Sequence, residues 1–237
     1  MKRENNNPIK RFGSKDTEAY QKFAQDFLAI RERHWASIWL QAAPTVLNSD
    51  VYSVLEFGGG RDLTRSIAKH FGIEYVSVDI SDDFFPDVQS PIIDYPFEGK
   101  TTDLVCSFQC LEHNPWQETQ ALIAHMAKFT HKYLYFSVPY SGGWFSFSFS
   151  VRLPKFILSK SFCSVVDGFG GRSIDVKKLE TRPLEEKHLG HWWEVGRPGL
   201  SRKMFIGEVE KNGFKLVKSE HNKYFPHHLF VLFKKHR

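Results

Sequence analysis

Cysteine is scarce in this 237-residue chain, which carries only Cys106, Cys110 and Cys163. No two of them form a CxxC pair, so neither a disulfide framework nor a cysteine-rich zinc site is indicated, and reduced thiols are expected. Long apolar runs are missing as well. None could span a bilayer, and the polar stretch Met1 to Lys15 has no apolar core of a signal peptide. We therefore expect a cytoplasmic chain with no transmembrane segment. A broad basic field is also absent. The net charge is +5 at pH 7, but Lys2, Arg3, Lys10, Arg11 and Lys15 carry it at one end and Lys234, Lys235 and Arg237 at the other. The body between them is slightly acidic. That distribution speaks against nucleic acid as a partner and for solvated tails.

What is present suits a globular α/β protein, with 41% hydrophobic and 25% charged residues. The chain is organised around Val51-Tyr52-Ser53-Val54-Leu55-Glu56-Phe57-Gly58-Gly59-Gly60-Arg61-Asp62. Its apolar run suits a strand buried on both faces. Glycines then let a ligand approach the backbone. A helix opening near Asp62 would aim free N–H groups at that ligand. Such a turn predicts a nucleotide-like site at the carboxyl end of a strand.

The rest of the chain alternates strand and helix, which argues for a parallel, doubly wound sheet. Residues 1–14, Asn-rich and broken by Pro8 and Gly13, read as a mobile basic arm ahead of a single domain over 15–237. A helix is expected from Asp16 to Ala42, ended or kinked at Pro44, with Trp35 and Trp39 on one face. It forms part of an N-terminal helical cover over 15–48. Further expectations are a helix at 62–71, a strand at 74–79, a short strand near 88–93, a strand at 102–108, a helix at 116–131 and a strand at 132–138. Residues 141–200 break the rhythm and are expected to form an insertion or lid. Within it, Trp144 to Leu153 alternates apolar and polar, the period of a half-buried strand. A helix over 201–212 and strands at 214–220 and 228–234 close the chain, with one of these strands antiparallel.

The glycine turn does not complete the dinucleotide fingerprint G-x-G-x-x-G, because Leu63 stands at the third glycine. Glu56, just before the turn, would repel a pyrophosphate but favour an ammonium or a ribose hydroxyl. Glu56-Phe57-Gly58-Gly59-Gly60, Asp79 at the end of the second strand, and Asp103 to His113 (DLVCSFQCLEH) resemble, in that order, class I S-adenosylmethionine-dependent methyltransferases, and specifically their small-molecule branch with a Leu-Glu-His run. The resemblance covers about residues 45–140 and 195–234. It implies an α/β fold: a Rossmann-like, doubly wound, mostly parallel seven-stranded sheet with an antiparallel C-terminal hairpin and an inserted substrate-side subdomain. It implies S-adenosyl-L-methionine as cofactor. Gly58, Gly59, Gly60 and Glu56 would lie at its methionine portion. Asp79, followed by Ile80, would take the ribose hydroxyls, and Gln109 would line the pocket near the methyl donor. Where the family has an acid for the adenine, this chain has Pro91, and Asp94 is the nearby substitute.

Methyl transfer to a hydroxyl or amine can require a general base, and His113, His188 and His191 are the candidates. His188 and His191 with Glu194 have a spacing that suits a metal, but no third ligand stands in register, and none is expected to bind. Glu112 and His113 are expected chiefly to cap the following helix, and His227 and His228 to be structural. No Asn/Asp-Pro-Pro-Tyr motif is present, which lowers a DNA or amide-nitrogen acceptor. Trp144, Phe145, Phe147, Phe149, Trp192 and Trp193 suit an apolar or ring-bearing acceptor, such as a sugar, a lipid-linked intermediate or an aromatic metabolite, or else a subdomain core or homodimer face. The expected function is methylation, by preference of oxygen, on a small-molecule, sugar or lipid-linked acceptor. The alternatives are an RNA or protein methyltransferase, or a non-catalytic cofactor-binding module of the same fold.

Overall fold

The computed structural model describes residues 31–59, 63–152, 159–169 and 190–236. The expected arm at 1–14, Gly60, the charged run after residue 174, and His188 all lie outside these.

Seven strands form one sheet: β1 (Ser53–Phe57), β2 (Glu74–Asp79), β3 (Val88–Gln89), β4 (Thr102–Phe108), β5 (Thr130–Pro139), β8 (Phe214–Asn222) and β9 (Phe225–Lys235). A separate two-stranded sheet holds β6 (Gly143–Arg152) and β7 (Ser159–Phe169). The order in the large sheet is β3-β2-β1-β4-β5-β9-β8. The first five strands pair in parallel, while β9 pairs antiparallel with both β5 and β8. Chain order reverses between β1 and β4, so a crevice opens beyond their carboxyl ends, where open α/β sheets place their ligands.

Alternation along the central strands builds two cores. Leu55, Phe57 and Val105 point into one, with Leu122, Ile123 and Met126 of α3 (Trp116–Met126) and Phe205 and Val209 of α4 (Arg202–Glu210). Val54, Leu104 and Cys106 point into the other, with Ala68 of α2 (Leu63–His70). Leu40 of α1 (Arg31–Val46) packs against that second cluster. The central strands are therefore apolar throughout, because both faces are covered.

Several expectations needed correction. Pro44 does not end α1, which continues to Val46. Trp35 and Trp39 share a face that is more than half exposed, while Asn222 and Tyr135 hydrogen-bond the backbone carbonyls of Arg33 and Leu40. The third strand has only two residues, and a 3-10 turn, Ile92–Asp94, replaces the rest. Helix α3 stops at Met126 and passes into a 3-10 turn, Ala127–Phe129. The alternating segment after Trp144 does form a strand, but it is not half-buried. Trp144, Phe145, Ser146, Phe147 and Ser148 are all exposed, so both of its faces are open over these residues. Helix α4 starts as its sequence predicts: the Ser201 hydroxyl accepts from the Met204 N–H, a cap worth about 1 kcal/mol.

Candidate active site

The turn after β1 is shaped by close packing. Gly58 has φ of +73°, and a Cβ there would sit 2.3 Å from Cys110 Sγ. A Cβ on Gly59 would meet Ser77 Cβ at 3.1 Å and Glu56 Oε2 at 3.4 Å. Glycine is thus required at Gly58 by both conformation and space. Glu56 is buried, and the Tyr75 hydroxyl donates to its Oε2 at 2.8 Å. Burial, with the charges of Cys106 and Glu56, pushes the Tyr75 hydroxyl well up, so it remains a donor. Asp79 ends β2 with its Oδ1 accepting from the Ser81 N–H at 2.9 Å. Ile80 follows it and is exposed.

Gln109, at the carboxyl end of β4, has φ of +49°, the left-handed region that a non-glycine residue seldom enters. Its N–H donates to the Ser137 carbonyl at 2.9 Å, and its side-chain Nε2 to the Ser137 hydroxyl at 3.3 Å. Strain of this kind gathers at functional sites. The chain then turns into Leu111–His113, a 3-10 turn. The two glycines, Glu56, Asp79 and Gln109 thus all lie at the carboxyl ends of β1, β2 and β4, on the crevice. Asp94 is exposed in its 3-10 turn, and no hydrogen bond among the described residues joins it to Asp79 or to the glycine turn.

A second group of side chains stands next to this cradle. Cys110 connects the two: it packs against Gly58, and its thiol is pushed up to about 12 by burial first and then by the charges of Glu112, Asp79 and Glu56. Glu112 is completely buried. Burial raises its carboxyl to about 8, opposed by its own backbone N–H and assisted by repulsion from Glu194. It does not cap α3, whose N-cap is Pro115 with no side-chain hydrogen bond. The Trp192 N–H donates to the Glu112 carbonyl at 2.8 Å, tying the 190s loop to this turn. That bond brings His191 to His113, with ring centroids 5.4 Å apart. His191 Nδ1 lies 2.9 Å from Glu194 Oε1, and Arg197 Nη2 holds Glu194 Oε2 at 2.8 Å. Although burial alone would raise Glu194, the hydrogen bond from His191 and the Arg197 charge hold it below the usual carboxylate range. Partial desolvation and the neighbouring His191 lower the tendency of His113 to protonate, although its side chain remains exposed on one side.

The structure brings His113 and His191 together, from positions 78 residues apart. It divides the other histidine pair. His228 turns to α1, 3.0 Å from the Ser37 hydroxyl, and burial lowers it to about 3. His227 faces the site, stacked on His191 at 6.3 Å. Trp193 is not an acceptor surface: it is buried, with its indole N–H donating to the Asn114 carbonyl at 3.0 Å. Cys110 carries no recognisable signal in the sequence, Glu112 stands where a cap is expected, and His227 is not the structural residue that its position suggests. The alternation of β9 could have separated His227 from His228, but the meeting of the 110s and 190s has no local signal.

The cradle fits S-adenosylmethionine in its donor set. It offers backbone that only glycine allows, a carboxylate at the end of β2, and no third glycine for a pyrophosphate. Residues 27–219 match the methyltransferase-domain family. No curated protein sequence matches the chain. Among solved structures, the fold is similar to that of 1,6-didemethyltoxoflavin-N1-methyltransferase from Burkholderia thailandensis, with a TM-score of 0.57 and 14% identity over 97% of this chain and 88% of that one. It is similar also to magnesium protoporphyrin IX methyltransferase from Synechocystis PCC 6803, with a TM-score of 0.53 and 13% identity over 95% and 91% of the two chains. N-methyltransferase NodS from Bradyrhizobium japonicum gives a TM-score of 0.53 and 10% identity over 86% and 87%. The chain belongs to the methyltransferase-domain family and is a class I, S-adenosylmethionine-dependent methyltransferase.

Proposed function

We propose that this enzyme methylates a hydroxyl group of a small-molecule acceptor, and that His113 and His191 handle that acceptor. The observation that carries the proposal is the junction at Cys110. One residue packs on the cofactor turn at Gly58 and also feels the charge of Glu112, beside the two histidines. A methyl donor in the cradle and an acceptor at the imidazoles would therefore be neighbours.

Bound S-adenosylmethionine supplies a methyl group already activated for in-line displacement. The work left to the chain is positioning and control of one proton. Gly58 and Gly59 expose backbone to the methionine portion. Asp79 accepts from the ribose hydroxyls. Gln109, fixed to Ser137 at two points, lines the way between donor and acceptor. His191 is oriented by Glu194, which Arg197 holds in turn. This chain of contacts fixes the ring and sets which nitrogen faces the acceptor. A hydroxyl positioned there would pass its proton to the imidazole as its oxygen takes the methyl carbon, the carbon–sulfur bond breaking to leave S-adenosylhomocysteine.

The test is product release with a panel of small hydroxylated acceptors, followed by release of S-adenosylhomocysteine. Wild-type protein should turn over at least one of them, while His191→Ala should keep cofactor affinity and lose turnover. Equal turnover by His113→Ala, His191→Ala and wild type would remove the acceptor role.

A further inference from the structure

We propose that Glu112, His113 and His191 form a binding site for a divalent transition-metal cation of the zinc or manganese class. The side chains offer one carboxylate and two imidazoles, and their donor atoms all lie within 4.8 Å of one another. A cation bonded at about 2.0–2.2 Å would draw them inward by small side-chain movements.

Glu112 carries the inference. It is fully buried, and neither carboxyl oxygen makes a well-formed hydrogen bond with any described residue, only its own backbone N–H opposing the cost of burial. A buried polar group without a partner is uncommon and calls for one, such as water or an ion. Here two imidazoles stand beside it, so the missing partner is one that a carboxylate and two nitrogens would share.

The surroundings of His191 support the same conclusion. A metal-binding histidine normally gives its second ring nitrogen to a carboxylate or a backbone carbonyl, which fixes the ring. His191 does so through Nδ1, 2.9 Å from Glu194 Oε1. Its Nε2 is then the nitrogen left for a cation.

An overlapping trio, His191, Glu194 and His227, is equally compact. It is the weaker site. Its carboxylate is already engaged by His191 and by both Nε and Nη2 of Arg197, and a guanidinium beside a cation would repel it. Glu194 therefore orients His191 for the first trio rather than binding a cation itself.

Two histidines and one glutamate leave coordination positions open, as in catalytic rather than structural sites. The exposed side is that of His113, where an acceptor's oxygen could reach. This part of the inference rests on the acceptor reading above; cation binding itself does not. A cation there would give the histidines the role of ligands and would favour loss of the acceptor's proton by its charge.

The experiment is titration of chelator-treated, folded enzyme with Zn2+ alone, read by calorimetry, alongside thermal shift with S-adenosylhomocysteine. One equivalent of Zn2+ should bind per chain. Glu194→Gln should weaken it by about 10- to 100-fold, and Glu112→Gln and His191→Ala by more. His70→Ala, at an exposed histidine on α2, should leave it unchanged. The stabilisation by S-adenosylhomocysteine should persist in Glu112→Gln, which shows that this variant folds. No saturable binding by wild type, or equal affinity in Glu112→Gln and His191→Ala, would overturn the site. Loss of S-adenosylhomocysteine binding by wild type would instead overturn the cofactor assignment, so the two failures are distinct.

Discussion

The two ends of β4 are built differently. At its start, Asp103 is buried and fully engaged. Its Oδ2 accepts from the Tyr52 N–H at 2.8 Å and the Ser53 N–H at 3.1 Å, and its Oδ1 pairs with Lys132 at 2.7 Å and lies 3.2 Å from His131. Just past its finish, Gln109 is held in a left-handed conformation, and Glu112, in the 3-10 turn that follows, is buried with no well-formed hydrogen bond to either oxygen among the described residues. The two ends of the strand thus adjoin one satisfied carboxylate and one unsatisfied carboxyl group. The first closes the sheet, and the second belongs to the crevice. Substitutions at the two ends should therefore separate stability from activity.

The largest effect is expected at the crevice. His191→Ala should lower turnover by about 100- to 10,000-fold, the range of a lost proton-handling group, with little change in unfolding midpoint. Steady-state kinetics beside urea denaturation would show it, and a parallel loss of stability would blur the contrast between the ends. Next comes the turn itself. Gly58→Ala should cost about 2–5 kcal/mol, combining left-handed backbone with overpacking. Because the added Cβ meets Cys110 Sγ at 2.3 Å, Gly58→Ala with Cys110→Ala should recover part of that loss in a denaturation cycle. Strict additivity would mean that Cys110 is not the obstacle.

The smallest effect belongs to the far end. Asp103→Asn should cost about 1–3 kcal/mol of stability and leave turnover unchanged. Burial alone would raise Asp103, but hydrogen bonds from Lys132 and Tyr52 hold its folded value below the usual 3.8. Its contribution is therefore present above the unfolded value and is lost as pH falls through the folded one. Wild type should lose stability over that acid range more steeply than Asp103→Asn, as pH-dependent unfolding would report.

The same contrast explains what could be read in the sequence. Apolar runs such as Leu104-Val105-Cys106 identify strands covered on both faces, and the sheet follows from them. Gly58 and Asp79 are legible because their roles depend on immediate neighbours: a turn that needs glycine and a strand end that bears an acid. The crevice's other wall was less legible. His113 and His191 could be nominated by residue type, but their meeting depends on a backbone bond from Trp192 to Glu112, which no local pattern announces. Glu112 looked like a helix cap because it precedes α3, yet its side chain turns into the protein. The alternation around Phe145 and Phe147 gave the strand correctly and its burial wrongly, since a period of two marks a strand without saying what covers it.

The assignment depends first on the cofactor cradle, and calorimetric titration of S-adenosylmethionine into wild type and Asp79→Ala tests it most directly. One saturable site is predicted in wild type, weakened by about 10- to 100-fold in Asp79→Ala, as loss of charge-assisted hydrogen bonds to the ribose requires. No binding by wild type, or equal affinity in the two proteins, would contradict the account.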